Sequence, residues 1–247
     1  MRALKGALLA FVAVTAAAAQ TSDALLSETR LTVHTLLRED IFAGFMSNNM
    51  TRFARAEQNI EVLLKERPAQ RANLLGWKAG ALTYRAVVAH ESGKAEESAR
   101  LLAQARELFA EAAKATTGND GVAPITGGTL ALFADRLPEA QRASAWSQAY
   151  DSYALLWQQQ GAGIEKMPVH FKGEVLAGLT QSAQRTGRTE ETALYLGKML
   201  EVLANTPYEP MAKKWKDDPA SAATTNLTCK NCHNPGRLSA RVAALNK

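Results

Sequence analysis

Residues 98–115 read SARLLAQARELFAEAAKA. Leu101, Leu102, Ala105, Leu108, Phe109 and Ala112 recur there at intervals of three and four, which puts them on one face of an α-helix. Leu25, Leu26, Thr29, Val33, Leu36 and Leu37 repeat the pattern on the N-terminal side. Leu194, Leu196, Met199, Leu200 and Leu203 repeat it on the C-terminal side. Between these segments strand formers are scarce, while Ala, Leu, Glu, Gln, Lys and Arg dominate, the mixture that favours helix. With 247 residues, 47% apolar and 21% charged, the chain can build one sizeable globular domain or two small ones. The fold class expected is all-α.

Helices are expected near 23–46, 50–66, 69–92, 94–115, 128–136, 138–160, 169–186 and 188–204. Pro68, Gly93 and Gly187 stand where the periodicity breaks, as helix stops do. The stretch 116–128, rich in Gly, Thr, Asn and Asp, reads as the longest loop. Its glycines are not followed by Gly-Lys-Ser/Thr, so it is not a phosphate-binding loop. Gly44, Ala56 and Pro68 are each twelve apart, and Arg55-Ala56-Glu57 opens the second helix of that pair. This resembles a tetratricopeptide helix pair, in which a small residue lets two helices cross closely and proline ends the unit. Residues 176–207 and 77–115 look similar. The resemblance covers about half the chain and implies an array of antiparallel helix pairs; a plain antiparallel bundle shows nearly the same pattern.

The first residues differ from the rest. Arg2 and Lys5 precede an apolar run over 6–14, and Ala17, Ala18 and Ala19 follow with the small side chains that a signal peptidase reads. Residues 1–19 are therefore expected to be a secretory signal, the mature protein to start near Gln20, and its location to be exported, periplasmic in a Gram-negative source. The apolar run is too short for a membrane anchor. From residue 208 onward seven basic residues oppose three acids, a net +4. The near-neutral remainder does not look like a nucleic-acid binder, whereas the basic tail suits a docking partner or simple solubility.

After residue 206 the character changes. Pro207, Pro210 and Pro219 interrupt long helices, and 220–228 is small and polar, which reads as an extended strap. The chain thus divides into 1–19, a helical domain over 20–206, and a strap with attachment segment over 207–247. That last segment contains Cys229-Lys230-Asn231-Cys232-His233, with the only two cysteines of the chain. On one helical turn residues i, i+3 and i+4 share a face, so two sulfurs and an imidazole can address one group. A thioredoxin-like pair needs a βαβ pattern that is not seen here, and structural zinc needs four ligands.

The motif is similar to the attachment signature of c-type cytochromes. The resemblance covers the last twenty or so residues. It implies one covalent haem c, with Cys229 and Cys232 as thioether positions and His233 as proximal iron ligand. Only fourteen residues follow His233 and none is Met or His, a departure from the mitochondrial type, so the distal ligand must lie upstream or be absent. Met211 is the first candidate and His170 the second; His34 and His90 are expected to face solvent or be hydrogen-bonded, and Met46, Met50, Met167 and Met199 complete the set. Tyr208 and Trp215 flank Met211 and can either pack against haem or anchor the strap. Lys213, Lys214 and Lys216 could meet an acidic redox partner. No catalytic set is evident in the helical body. Three functions follow as expectations: electron transfer; a helical protein-binding module that is a subunit of a larger redox complex; or a five-coordinate haem that binds a small gas or peroxide.

Overall fold

The computed structural model describes residues 25–116, 121–224 and 236–245. Among them every regular element is helical and none is a strand. The helices are α1 (Val33–Ser47), α2 (Met50–Glu66), α3 (Arg71–Glu91), α4 (Ala95–Ala115), α5 (Val122–Phe133), α6 (Glu139–Gln160), α7 (Val169–Arg185), α8 (Thr189–Val202), α9 (Glu209–Asp217), α10 (Ala220–Thr224) and α11 (Arg237–Leu245). Short 3₁₀ turns occupy Pro68–Gln70, Ala134–Arg136 and Gly161–Lys166. None of the described helices is long and apolar enough to cross a membrane.

Local chemistry sets the boundaries. Thr32 caps α1 by accepting a hydrogen bond from the Thr35 N–H at 3.1 Å, and Asn49 caps α2 through the Arg52 N–H at 3.1 Å. Gly93 and Gly187, with φ of 74° and 70°, end α3 and α7 in the left-handed conformation. In both turns the next residue donates its N–H back into the finished helix, Lys94 to the Ala89 carbonyl and Arg188 to that of Ala183, each at 2.9 Å. The same stop is therefore used at equivalent places in two helix pairs.

The helices pack as antiparallel pairs, α1 with α2, α3 with α4, α5 with α6 and α7 with α8. The first helices also pack in succession, α1 on α3, α3 on α5 and α5 on α7, while α2 leans on α3 and α6 on α7. This is the all-α packing of antiparallel helix pairs that the sequence predicts. Close crossings depend on glycine. A Cβ at Gly44 would overlap the Phe53 ring, so the missing side chain lets α1 and α2 meet. Tyr153 of α6, buried to 1% exposure, lies against Gly127 of α5 and Gly178 of α7. Polar ties fix the stacking. Asp135 accepts from the Trp146 indole at 2.8 Å and from Arg185 at 3.0 and 2.5 Å, joining the turn after α5 to α6 and α7.

Two expectations need correction. The stretch 116–128 is not all loop, because α5 begins at Val122. Pro124 falls in its first turn, where a missing N–H costs nothing. Gly127 and Gly128 are helical because Tyr153 and Glu174 take the space of their side chains. The second correction concerns the strap: residues 209–217 and 220–224 are helical. Pro210 starts α9 instead of breaking a helix. One face of α9 carries Ala212 and Trp215, both at 0% exposure, into a second apolar core with Ile164, Leu176, Ala177, Met199, Leu203 and Ala222. The helical packing thus continues past residue 206.

Candidate functional site

Cys229, Cys232 and His233 lie outside the described residues, as does the expected leader over 1–19. The chain on either side of the motif is held to the helical array. Upstream, the Gln181 side-chain amide of α7 donates to the Ala222 carbonyl at 3.1 Å. Downstream, Gly236 takes φ 95° and the Leu238 N–H donates to Glu39 of α1 at 2.7 Å. Helix α11 then lies along α1, and Arg30 donates to the Leu245 carbonyl at 3.1 Å.

Side chains of α1 and α7 come within electrostatic reach of one another. They belong to the first and fourth helix pairs, yet the His170 imidazole feels the charge of Arg38, and His34 feels that of His170. These side chains therefore share the groove between α1 and α7. His34 rests on the Trp77 ring of α3, with centroids 5.2 Å apart and planes inclined by 33°. Phe42 meets the edge of the same indole at 6.4 Å. Trp77 is 3% exposed, and its Nε1 has no hydrogen-bond acceptor among the described residues.

Across the groove, His170 is held from two sides. Its Nδ1 lies 3.3 Å from the Tyr208 hydroxyl and its Nε2 lies 3.4 Å from Glu174, one helical turn away. Tyr208 can come this close because Gly173 has no Cβ to overlap its ring. Glu174 in turn fills the space over Gly128, near the Tyr153 hydroxyl.

The electrostatics follow from crowding without closure. Although exposed at the groove surface, His34 is surrounded by protein on most sides; this desolvation, with the Arg38 and His170 charges adding to it, pushes its pKa down to about 4. Desolvation also lowers His170, followed by the charges of Arg237 and Arg38. Both imidazoles are thus neutral at pH 7. Glu174 keeps 23% of its side-chain surface, but its position deep in the groove pushes it up to about 7. Arg38 and Arg237 thus place positive charge near the two imidazoles, with the Glu174 carboxyl beside His170.

The remaining sequence candidates are dispersed. Met211 packs, half-buried, on the second core, whereas Trp215 is enclosed by protein there, which satisfies its anchoring role. Met199 is wholly buried beside the Thr180 hydroxyl. Met46 and Met50 pack on the first core and Met167 on the second. His90 lies in the last turn of α3. Lys213 is paired with Glu209 at 2.6 Å, and Lys214 and Lys216 are exposed. His34 is exposed on α1, as expected, where it rests on the Trp77 ring. Sequence reading missed Arg38, Trp77 and Glu174. The i, i+4 pairs His34–Arg38 and His170–Glu174 were a usable signal, since each shares a helical face; nothing local marked Trp77. Set against known protein families, curated proteins and solved structures, the chain finds no match.

Proposed function

We propose that the protein is an exported monohaem c-type electron carrier whose haem is attached through Cys229 and Cys232, has His233 as proximal ligand, and docks against the groove between α1 and α7. The observation that carries this reading is the Cys-x-x-Cys-His sequence at 229–233. The donor set of the groove fits such a group. Arg38 and Arg237 supply positive charge for two propionates, the half-buried Phe42 and Tyr208 supply aromatic surface, and neutral imidazole is the form that binds iron. Chain length agrees. His233 stands three residues before Gly236, so at most about 11 Å of backbone separates it from a residue fixed near α1.

Bound there, haem supplies a one-electron couple. The chain's own residues have separate tasks. The groove walls shield one face from water, the arginines neutralise the propionates, and Glu174 and Tyr208 hold the His170 ring. Lys214 and Lys216 on α9 offer an exposed basic edge to an acidic redox protein, alone or within a larger complex.

The test is expression with haem-attachment machinery, followed by intact mass and a pyridine haemochrome spectrum. The expected result is the mature chain, begun near Gln20, plus one haem with a thioether-type spectrum. A mass equal to the mature polypeptide alone would end the proposal.

A further inference from the structure

We propose, independently of the haem-carrier reading, that the cavity between the turn at 25–30, α1 and α11 is a binding site for a neutral, apolar small molecule, with α11 as its movable wall.

The cavity measures about 610 Å³ and opens to solvent. Small-molecule sites span roughly 300–1,000 Å³. Scaled from the roughly 150 Å³ that holds one benzene, this one has room for about 20 carbon atoms. Leu25 lines one side, and Leu238, Val242 and Leu245 line the other. The last three stand at i, i+4 and i+7 of α11 and form its apolar stripe. All four pack on the first core yet stay half-buried, and no residue of α11 is buried. A helix of nine residues keeps its shape in water only through such contacts. An apolar guest would complete them.

The charges of the wall decide what kind of guest it takes. Glu28 is held by the Arg30 guanidinium, which donates at 2.8 and 2.6 Å. Glu39 accepts from the Leu238 N–H at 2.7 Å and lies 3.6 Å from Arg52. Together Glu39 and Asp40 face Arg52 and Arg55, two acids against two guanidiniums. The Ser239 hydroxyl donates to the Gly236 carbonyl at 2.9 Å. The polar side chains among the described wall residues are thus partnered within the protein, and their charges cancel in pairs. A charged guest would lose its water without meeting an uncompensated opposite charge. A neutral apolar guest displaces none of these hydrogen bonds.

The two walls are held differently. Arg67, at the end of α2, donates to the carbonyls of Leu26, Glu28 and Leu31 at 2.5, 2.9 and 2.7 Å, which fixes the N-terminal turn. Helix α11 is tied near its two ends, by the Leu238 N–H to Glu39 and by the Leu245 carbonyl to Arg30, with the half-covered stripe in between. It is the wall that can shift to admit a guest.

The experiment uses the full chain as purified and N-phenyl-1-naphthylamine, a neutral aromatic probe, read by calorimetry and hydrogen exchange. Binding should be saturable and one-to-one, with added protection confined to 25–31, α1 and α11. Dodecanol should displace the probe and dodecanoate should not. Val242→Trp puts an indole into the cavity and should weaken binding by about tenfold or more. Should that variant fail to fold, Ala243→Phe, at an exposed point of the same wall, decides in its place. Leu194→Ala removes the 56% exposed leucine of α8 and should leave binding unchanged. Undiminished binding in the wall variant overturns the proposal, as do protection elsewhere, equal displacement by the carboxylate, or a loss in Leu194→Ala that marks general surface adhesion. Absence of saturable binding ends it too, whether α11 settles onto α1 or another part of the chain takes the space.

Discussion

The two ends of the helix array are closed by different forces. At the N-terminal end α1 and α2 are joined by charge. Asp40, 8% exposed, accepts from Arg52 at 2.7 Å and from Arg55 at 2.6 and 2.7 Å. At the C-terminal end α9 closes the stack with an indole, Trp215 at 0% exposure, set among aliphatic side chains of α7, α8 and α10. The carboxylate is satisfied in only one rotation of α1 against α2, because two guanidiniums must converge on it. The indole gains more energy from burial but is less particular about angle. The directional closure stands at the end where α11 also packs on α1. The apolar closure stands where the array only has to be sealed.

Removing the seal should have the largest effect. Trp215→Ala leaves a cavity the size of an indole and should cost about 3–5 kcal/mol. Urea denaturation gives the total, and hydrogen exchange should place the loss in α8–α10, with α3 and α4 still protected. Equal loss of protection in all helices would show that the two ends are not separable. Asp40→Ala should come next, at about 2–3 kcal/mol. The arginines it leaves are partly exposed, and Arg52 retains Glu39 at 3.6 Å, so the loss stops short of that for a fully buried charge. It should also loosen the relation of α1 to α2, which Trp215→Ala should not do.

Gly44→Ala tests the N-terminal pair by shape instead of charge. The new Cβ would overlap carbon atoms of the buried Phe53 ring. Overpacking of that kind costs about 1–3 kcal/mol, and the better helix propensity of alanine returns up to about 1. The net expectation is a loss of about 1–2 kcal/mol in thermal or urea unfolding. Shrinking the ring in a Gly44→Ala, Phe53→Leu double variant should recover part of it, and strict additivity would count against the contact.

The elements set by local chemistry were legible in the sequence. Gly93 and Gly187 stop helices where the periodicity breaks. The Gly44 spacing marks a close crossing that Phe53 fills. Where local composition and tertiary packing disagree, packing prevailed. The glycines at 127 and 128 suggested loop and lie in a helix, because a tyrosine and a glutamate from other helices use their empty side. Prolines at 207, 210 and 219 suggested extended chain, yet Pro210 sits in a first turn and Trp215 supplies the burial that holds α9. The groove was legible only in fragments. Its members come from α1, α3, α7 and the start of α9, and no spacing within a helix reveals that His34 and His170 feel one another's charge.

The smallest effect is expected at Glu174, where the comparison turns from the ends to the groove between them. Its pKa, raised from 4.5 to about 7 by burial, means that the folded protein holds a proton the unfolded chain has released. Between those values the native state binds more protons, so stability falls as pH rises, and the penalty is complete above about pH 7. Linkage converts the full rise to about 3 kcal/mol; water at the exposed 23% of the side chain brings the expectation to about 1 kcal/mol. His170 lies 3.4 Å from the same carboxyl, and the Tyr153 hydroxyl lies with it over Gly128. Glu174→Gln keeps the shape and removes the titration. The variant should match wild type at pH 4.5 and exceed it at pH 8 in paired urea titrations. A variant less stable than wild type at pH 8 would mean that the carboxylate is welcomed in the groove, and that its positive neighbours outweigh its desolvation.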